Sequence, residues 1–157
     1  MNRIVIVVTA VFLAGCSHTK RPETPEAVAQ SYVTAVNAKN RSELLALVHP
    51  DCLSGLSSLQ KEYINDTLTR NFRKAIPQEH TVSVSSLESD TMPFADMLVW
   101  RVKPTHQIQI DYSRGEYSSV TIVRDLKKTE DGWCIVMPLP NDKNLKKYKE
   151  KKESQQD

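Results

Sequence analysis

The hydrophobic period of this chain changes once, near Pro77, and that change constrains the fold more than any other feature. Before Pro77 the apolar residues recur at helical spacing, and after it they alternate. Thr24-Pro25-Glu26 reads as a helix start, with a capping hydroxyl, a proline suited to the first turn and an acid at the positive pole. Val28, Tyr32, Ala35, Val36 and Lys39 then predict a helix over 25–39. Asn40-Arg41-Ser42 predicts a turn in which Ser42 caps a second helix, Glu43 to Val48, closed by Pro50. Ser57-x-x-Gln60 predicts a capping box. The helix it opens carries the stripe Leu59, Tyr63, Ile64, Thr67, Leu68, Asn71, Phe72 and Ala75, and Pro77 ends it.

Strand patterns follow. His80 to Leu87 alternates, with Val82 and Val84 on one face, and Met97 to Val102 is a nearly continuous apolar run around Trp100. Residues 107–112 alternate strictly. Residues 117–126 put Val120, Ile122 and Leu126 on one face, and Thr129-Glu130-Asp131-Gly132 predicts a hairpin loop before a strand from Trp133 to Leu139. Helices first and antiparallel strands after predict an α+β domain. Hydrophobic residues make up 39% of the chain, enough for a core, so wholesale disorder is excluded. The net charge of +2 is too balanced for a dedicated nucleic-acid binder. That excess sits in residues 141–157, where Lys143, Lys146, Lys147, Lys149, Lys151 and Lys152 face Asp142, Glu150, Glu153 and Asp157. The tail reads either as a solvated, frayed terminus or as a contact for anionic groups.

The N-terminus carries Arg3 and then an apolar run from Ile4 to Ala14. Such a run spans only about 16 Å as a helix, against a bilayer core of roughly 30 Å. It fits the apolar region of a signal peptide. Leu13-Ala14-Gly15-Cys16 resembles the lipobox of bacterial lipoproteins. The resemblance implies cleavage between Gly15 and Cys16, a diacylglyceryl thioether on Cys16 and acylation of the new N-terminus, palmitate-like chains anchoring the protein to membrane. Ser17, where inner-membrane lipoproteins often carry Asp, implies an outer-membrane protein facing the periplasm. The expected organisation is a signal peptide over 1–15, a lipidated cysteine and tether over 16–24, a domain over 25–140 and a lysine-rich tail over 141–157.

Within the domain, PEAVAQSYVTAVNAKNRSELLALVHPD and DLKKTEDGWCIVMPLP resemble the opening helix pair and the closing hairpin of the NTF2-like (SnoaL-like) superfamily. The resemblance implies N-terminal helices packed on a curved antiparallel sheet, a cone around a pocket, with homodimers common through the open sheet face. Enzymes of the superfamily place Asp, His and Tyr inside the cone. The residues of those types here are Tyr32, His49, Asp51, Asp96, His106, Asp111 and Tyr112, and none lies in a matching catalytic motif. Strand parity separates His106 from Asp111. His49 reads as the end of a helix, and Asp51 as a turn residue. The pocket candidates are Tyr32, Trp100 and Tyr112, each with a competing reading as core.

Four scattered histidines, no Cys-x-x-Cys and no glycine-rich loop give no metal site and no cofactor motif. With Cys16 lipidated, Cys52 and Cys134 remain, an even pair in an oxidising compartment and so a disulfide candidate, or else two buried thiols. Three function classes remain at this stage. The first is a non-catalytic binder of a small apolar ligand or an envelope interaction module. The others are an isomerase- or dehydratase-like enzyme and a structural envelope partner.

Overall fold

The structure, a computed structural model, describes residues 20–87, 96–115 and 118–154. Helix α1 (Pro25–Asn37) begins as the sequence predicts: Thr24 Oγ1 accepts from the Ala27 N–H at 3.1 Å, and Pro25 sits in the first turn. Its buried face is Val28, Ala29, Tyr32, Val33, Ala35 and Val36. It stops short of 39 because Lys39 turns into left-handed backbone, φ 51°. Helix α2 (Arg41–Ala46) therefore starts earlier than expected, with Asn40 rather than Ser42 as its cap; Asn40 Oδ1 accepts from the Glu43 N–H at 3.2 Å.

Helix α2 also ends early, and the cause is the sheet. Residues 47–49 run beside strand β5 (Gly132–Val136), Val48 forming a parallel bridge to Ile135, with Ile135 N–H donating to Leu47 O (2.8 Å) and His49 N–H donating to Ile135 O (2.9 Å). Pro50 then opens a short helix α3 (Pro50–Leu53) instead of closing α2. A proline lacks the N–H that the first turn of a helix leaves unpaired anyway, so it suits a helix start. Helix α4 (Ser58–Asn71) has the predicted capping box, with both reciprocal bonds formed. It ends well before Pro77, and Ile76 is instead pinned to α1: Asn37 Nδ2 donates to Ile76 O (2.9 Å) and Ile76 N–H donates to Asn37 Oδ1 (2.8 Å).

The main sheet is antiparallel, in the order β1 (Thr81–Ser86), β3 (His106–Ser113), β4 (Ser119–Thr129), β5. The α+β class is thus observed: helices and an antiparallel sheet share one core. Register aligns Val84, Ile108 and Arg124 across three strands, with Val82, Ile110 and Ile122 beside them. Leu126 pairs with Ile135 and Lys128 with Trp133. Because side chains alternate along a strand, one face presents Ile108, Ile110, Tyr112, Val120, Ile122, Leu126 and Ile135 to the helices. Arg124 occupies a position in that same stripe.

Three expectations change here. The apolar run 97–102 contributes only a two-residue strand, β2 (Leu98–Val99), which pairs with β6 (Leu139–Pro140) in a separate ribbon. The strand expected from Trp133 to Leu139 is split at Met137-Pro138, since proline cannot donate to the ladder. The expected tether is partly folded: the Pro22 carbonyl accepts from the Trp133 N–H at 2.8 Å, and Arg21 Nη1 reaches Cys134 Sγ at 2.8 Å.

The lysine-rich tail is a helix, α5 (Asp142–Glu153), capped by Asn141 Oδ1 and laid against α4. Tyr148 Oη donates to Asp66 Oδ2 at 2.6 Å, its ring meets Tyr63 edge-on at 5.3 Å, and Lys152 pairs with Glu62 and Asp66. The helix is densely charged and has no fully buried residue, so its lysines hid an ordered element.

Candidate functional site

The split after Val136 creates a recess. Strand β5 pairs with β4 only as far as the Val136–Asp125 pair, so among the described residues the β4 edge from Arg124 to Ser119 has no strand beside it. Helix α4 crosses this gap, α1 and α2 form the floor, and Met137-Pro138 forms a rim. The recess is a half-open cavity of about 290 Å³, lined mainly by apolar side chains, among them Leu44, Val48, Leu68 and Ile135.

Its polar wall is built from three elements. Tyr32 on α1 is 2% exposed. The Arg124 guanidinium lies over the Tyr32 ring, 4.8 Å from its centroid, and donates through Nη2 to Tyr32 Oη. The same Nη2 donates to Asn71 Oδ1 on α4 at 3.1 Å, and Nη1 donates to Val123 O at 2.6 Å. Burial pushes the Tyr32 hydroxyl above its ordinary value, and the Arg124 charge opposes that shift. Asp125 contributes to the wall, but its carboxylate accepts from Gln107 Nε2 at 3.0 Å across the β3–β4 ladder. Burial raises the Asp125 carboxyl, with Gln107 and Arg124 pulling the other way.

The predicted pocket residues are not brought together. Tyr32 lines the cavity. Trp100 does not; it packs, half-buried, against the cluster of Val48, Cys52 and Val136. Tyr112 is buried in the core and borders a different, open depression with His80 and Asp111. Of the other candidates, His49 caps α3 rather than ending α2, its Nδ1 accepting from the Asp51 N–H at 3.2 Å. Asp51 lies beside it in the first turn of that helix. Asp96 offers its backbone carbonyl to Asn141 Nδ2. His106 packs edge-on against Trp133 at 4.8 Å, and Asp111 accepts from Thr121 Oγ1 and Gln109 Nε2 on the opposite sheet face. Those two bonds hold the Asp111 carboxyl below the usual range.

Cys52 and Cys134 are both free and fully buried, which departs from the expected disulfide. Cys134 Sγ faces the Arg21 guanidinium, while Cys52 packs among Val48 and Val136; burial raises the Cys52 thiol. Gly15 and Cys16, with the whole signal region, lie outside the described residues. Among the described residues, no group of three or more His, Cys, Asp or Glu is arranged to hold a metal ion, and no helix is long and apolar enough to cross a membrane.

Two residues of the site escaped sequence reasoning. Arg124 sits at the one charged position in the stripe Val120, Ile122, Arg124, Leu126, so the signal was present as a break in alternation. Asn71 lies on the predicted stripe of α4, a position that reads only as part of the packing face. No protein-family model, no curated protein and no solved structure matches this chain.

Proposed function

We propose that this protein is a lipid-anchored lipoprotein of the bacterial envelope whose NTF2-like domain binds a small ligand without transforming it. The reading of the anchor rests on Leu13-Ala14-Gly15-Cys16 after a short apolar segment, and Ser17 favours the periplasmic face of the outer membrane. The reading of the domain rests on one observation, the mostly apolar cavity of about 290 Å³ between α1, α4 and the β4 edge. Small-molecule sites are concave, largely apolar and furnished with a few fixed polar groups. Tyr32, Arg124 and Asn71 supply those groups.

Binding is favoured over catalysis by where the acids lie. An isomerase or dehydratase needs an acid or base converging with its partners on the reacting atom. Asp125, the half-buried acid at the wall, is tied to Gln107, on the sheet face away from Tyr32 and Arg124. His106 is packed on Trp133.

Two experiments test the proposal. Fractionation of cells producing the full chain places it in membranes that resist a carbonate wash, and Cys16→Ser releases it. Retention of the variant refutes the lipid anchor. Native mass spectrometry of residues 17–157 from the periplasm shows an added mass that is lost on denaturation. A bare mass at every tested concentration of added small apolar acids and alcohols refutes the ligand-binding reading.

A further inference from the structure

We infer that the cavity takes a small amphiphilic anion of about ten heavy atoms, an apolar body with a carboxylate head held by Arg124. The inference deepens the ligand-binding reading and rests on it. A guanidinium is always charged and carries five N–H donors. Arg124 projects from the core-facing stripe of β4, where its neighbours are Ile108, Ile122 and Leu126. All its hydrogen-bond acceptors are neutral: Tyr32 Oη, Asn71 Oδ1 and the Val123 carbonyl. No carboxylate among the described residues forms an ion pair with it, although exposed pairs occur elsewhere in the molecule. The nearest acid in sequence, Asp125, spends its carboxylate on Gln107.

Neutral acceptors satisfy the geometry of a guanidinium but not its charge. Arg124 is half-buried, and a carboxylate entering the recess would give it a charge-assisted hydrogen bond that none of its neutral acceptors supplies. The site is also arranged in advance. The Tyr32 ring fixes the plane of the guanidinium, and Asn71 and the Val123 carbonyl fix its rotation, so little freedom remains to be lost on binding. Beyond the cation the lining is mostly apolar, with Leu44, Val48, Leu68 and Ile135 in reach of a hydrocarbon body. At the roughly 30 Å³ that a water-sized group occupies in a liquid, the cavity holds about ten heavy atoms, the size of octanoate.

The probes are octanoate and its neutral counterpart 1-octanol. The full chain is used as cells make it, in lipid nanodiscs where it purifies with membranes, with protein-free discs as the blank in equilibrium dialysis. The charge-assisted contact makes octanoate bind roughly tenfold or more tightly than octanol. Arg124→Met removes that preference and keeps octanol binding, while Arg124→Lys retains part of the preference. A measurement without a folding-sensitive variant accompanies these: in the unmodified protein the Arg124 Nε–H resonance moves on adding octanoate and stays in place with octanol. Equal affinity for the two probes, an unshifted resonance with octanoate bound, or a preference that survives in a folded Arg124→Met protein overturns the inference. In each of those cases the ligand-binding reading stands. Failure of both probes to bind overturns both.

Discussion

Gly132 is the residue at which one methyl group should do the most damage for its size. It opens β5 with φ 131°, a conformation that side-chain-bearing residues rarely adopt. A Cβ placed there would lie 2.7 Å from the Pro22 carbonyl oxygen and 2.8 Å from Arg21 Cβ. The oxygen is backbone and cannot swing aside, and it already accepts from the Trp133 N–H at 2.8 Å. Gly132→Ala therefore carries two separable costs. Backbone strain at such a φ is about 1–3 kcal/mol. Displacing the Arg21-Pro22 segment forfeits the bond to Trp133, about 0.5–1.5 kcal/mol more. The expected loss is about 2–4 kcal/mol, a large part of the roughly 5–15 kcal/mol that stabilises an ordinary domain. Urea denaturation of residues 17–157 measures it as a shift in midpoint at unchanged slope. The same substitution in a chain that begins at Glu23 leaves only the strain, so the difference between the two backgrounds isolates the second cost. A loss under about 1 kcal/mol, or an identical loss in the two backgrounds, refutes the account of how residues 20–22 are held.

The docking of α5 depends on acid. Tyr148 Oη holds the Asp66 carboxyl below the usual range, so the contribution of Asp66 is complete above the ordinary carboxylate value and is lost as pH falls through the lowered one. Hydrogen exchange at α5 amides should accelerate in that acid window, and Tyr148→Phe should show fast exchange already at neutral pH. On the basic side burial, with the Asp66 bond, pushes the Tyr148 hydroxyl up to about 12, so its share of stability is full below the ordinary tyrosine value and falls as pH approaches about 12. A helix whose exchange ignores both Tyr148→Phe and acid is not held by this pair. Thiol counting on denatured, unreduced residues 17–157 should return two free groups, Cys52 and Cys134, both unreactive while folded; a count of zero means that the two are joined and overturns the reading of two buried thiols.

What the sequence made legible follows how local each signal is. The start of α1, the capping box of α4 and the β4–β5 hairpin are written in a few adjacent residues, and all three are observed. The errors occur where a distant element decides. Helix α2 stops at Ala46 because Leu47 and His49 find partners on Ile135, far along the chain. Arg21 and Pro22 look like a polar spacer until the hairpin they cover is in place. Helix α5 looks like a frayed tail because its anchors, Tyr148 and Lys152, act through Asp66 and Glu62 on another helix. The site shows the same division. Tyr32 was visible on the apolar stripe of α1, but its neighbours in the cavity are set by register, and register alone pairs Ile108 with Arg124.

The strap at Arg21 and Pro22 also limits reach. Five peptide steps separate Cys16 from Arg21, and a fully extended chain advances at most about 3.6 Å per residue, so the leash is no longer than about 18 Å. Under the proposed lipid anchor at Cys16, the hairpin at Gly132 would ride within one domain's thickness of the bilayer surface. A protein moored as proposed would search in two dimensions, meeting what leaves or enters the membrane at high local concentration. Cutting the strap away from Trp133 and Cys134 lengthens the leash without adding a residue.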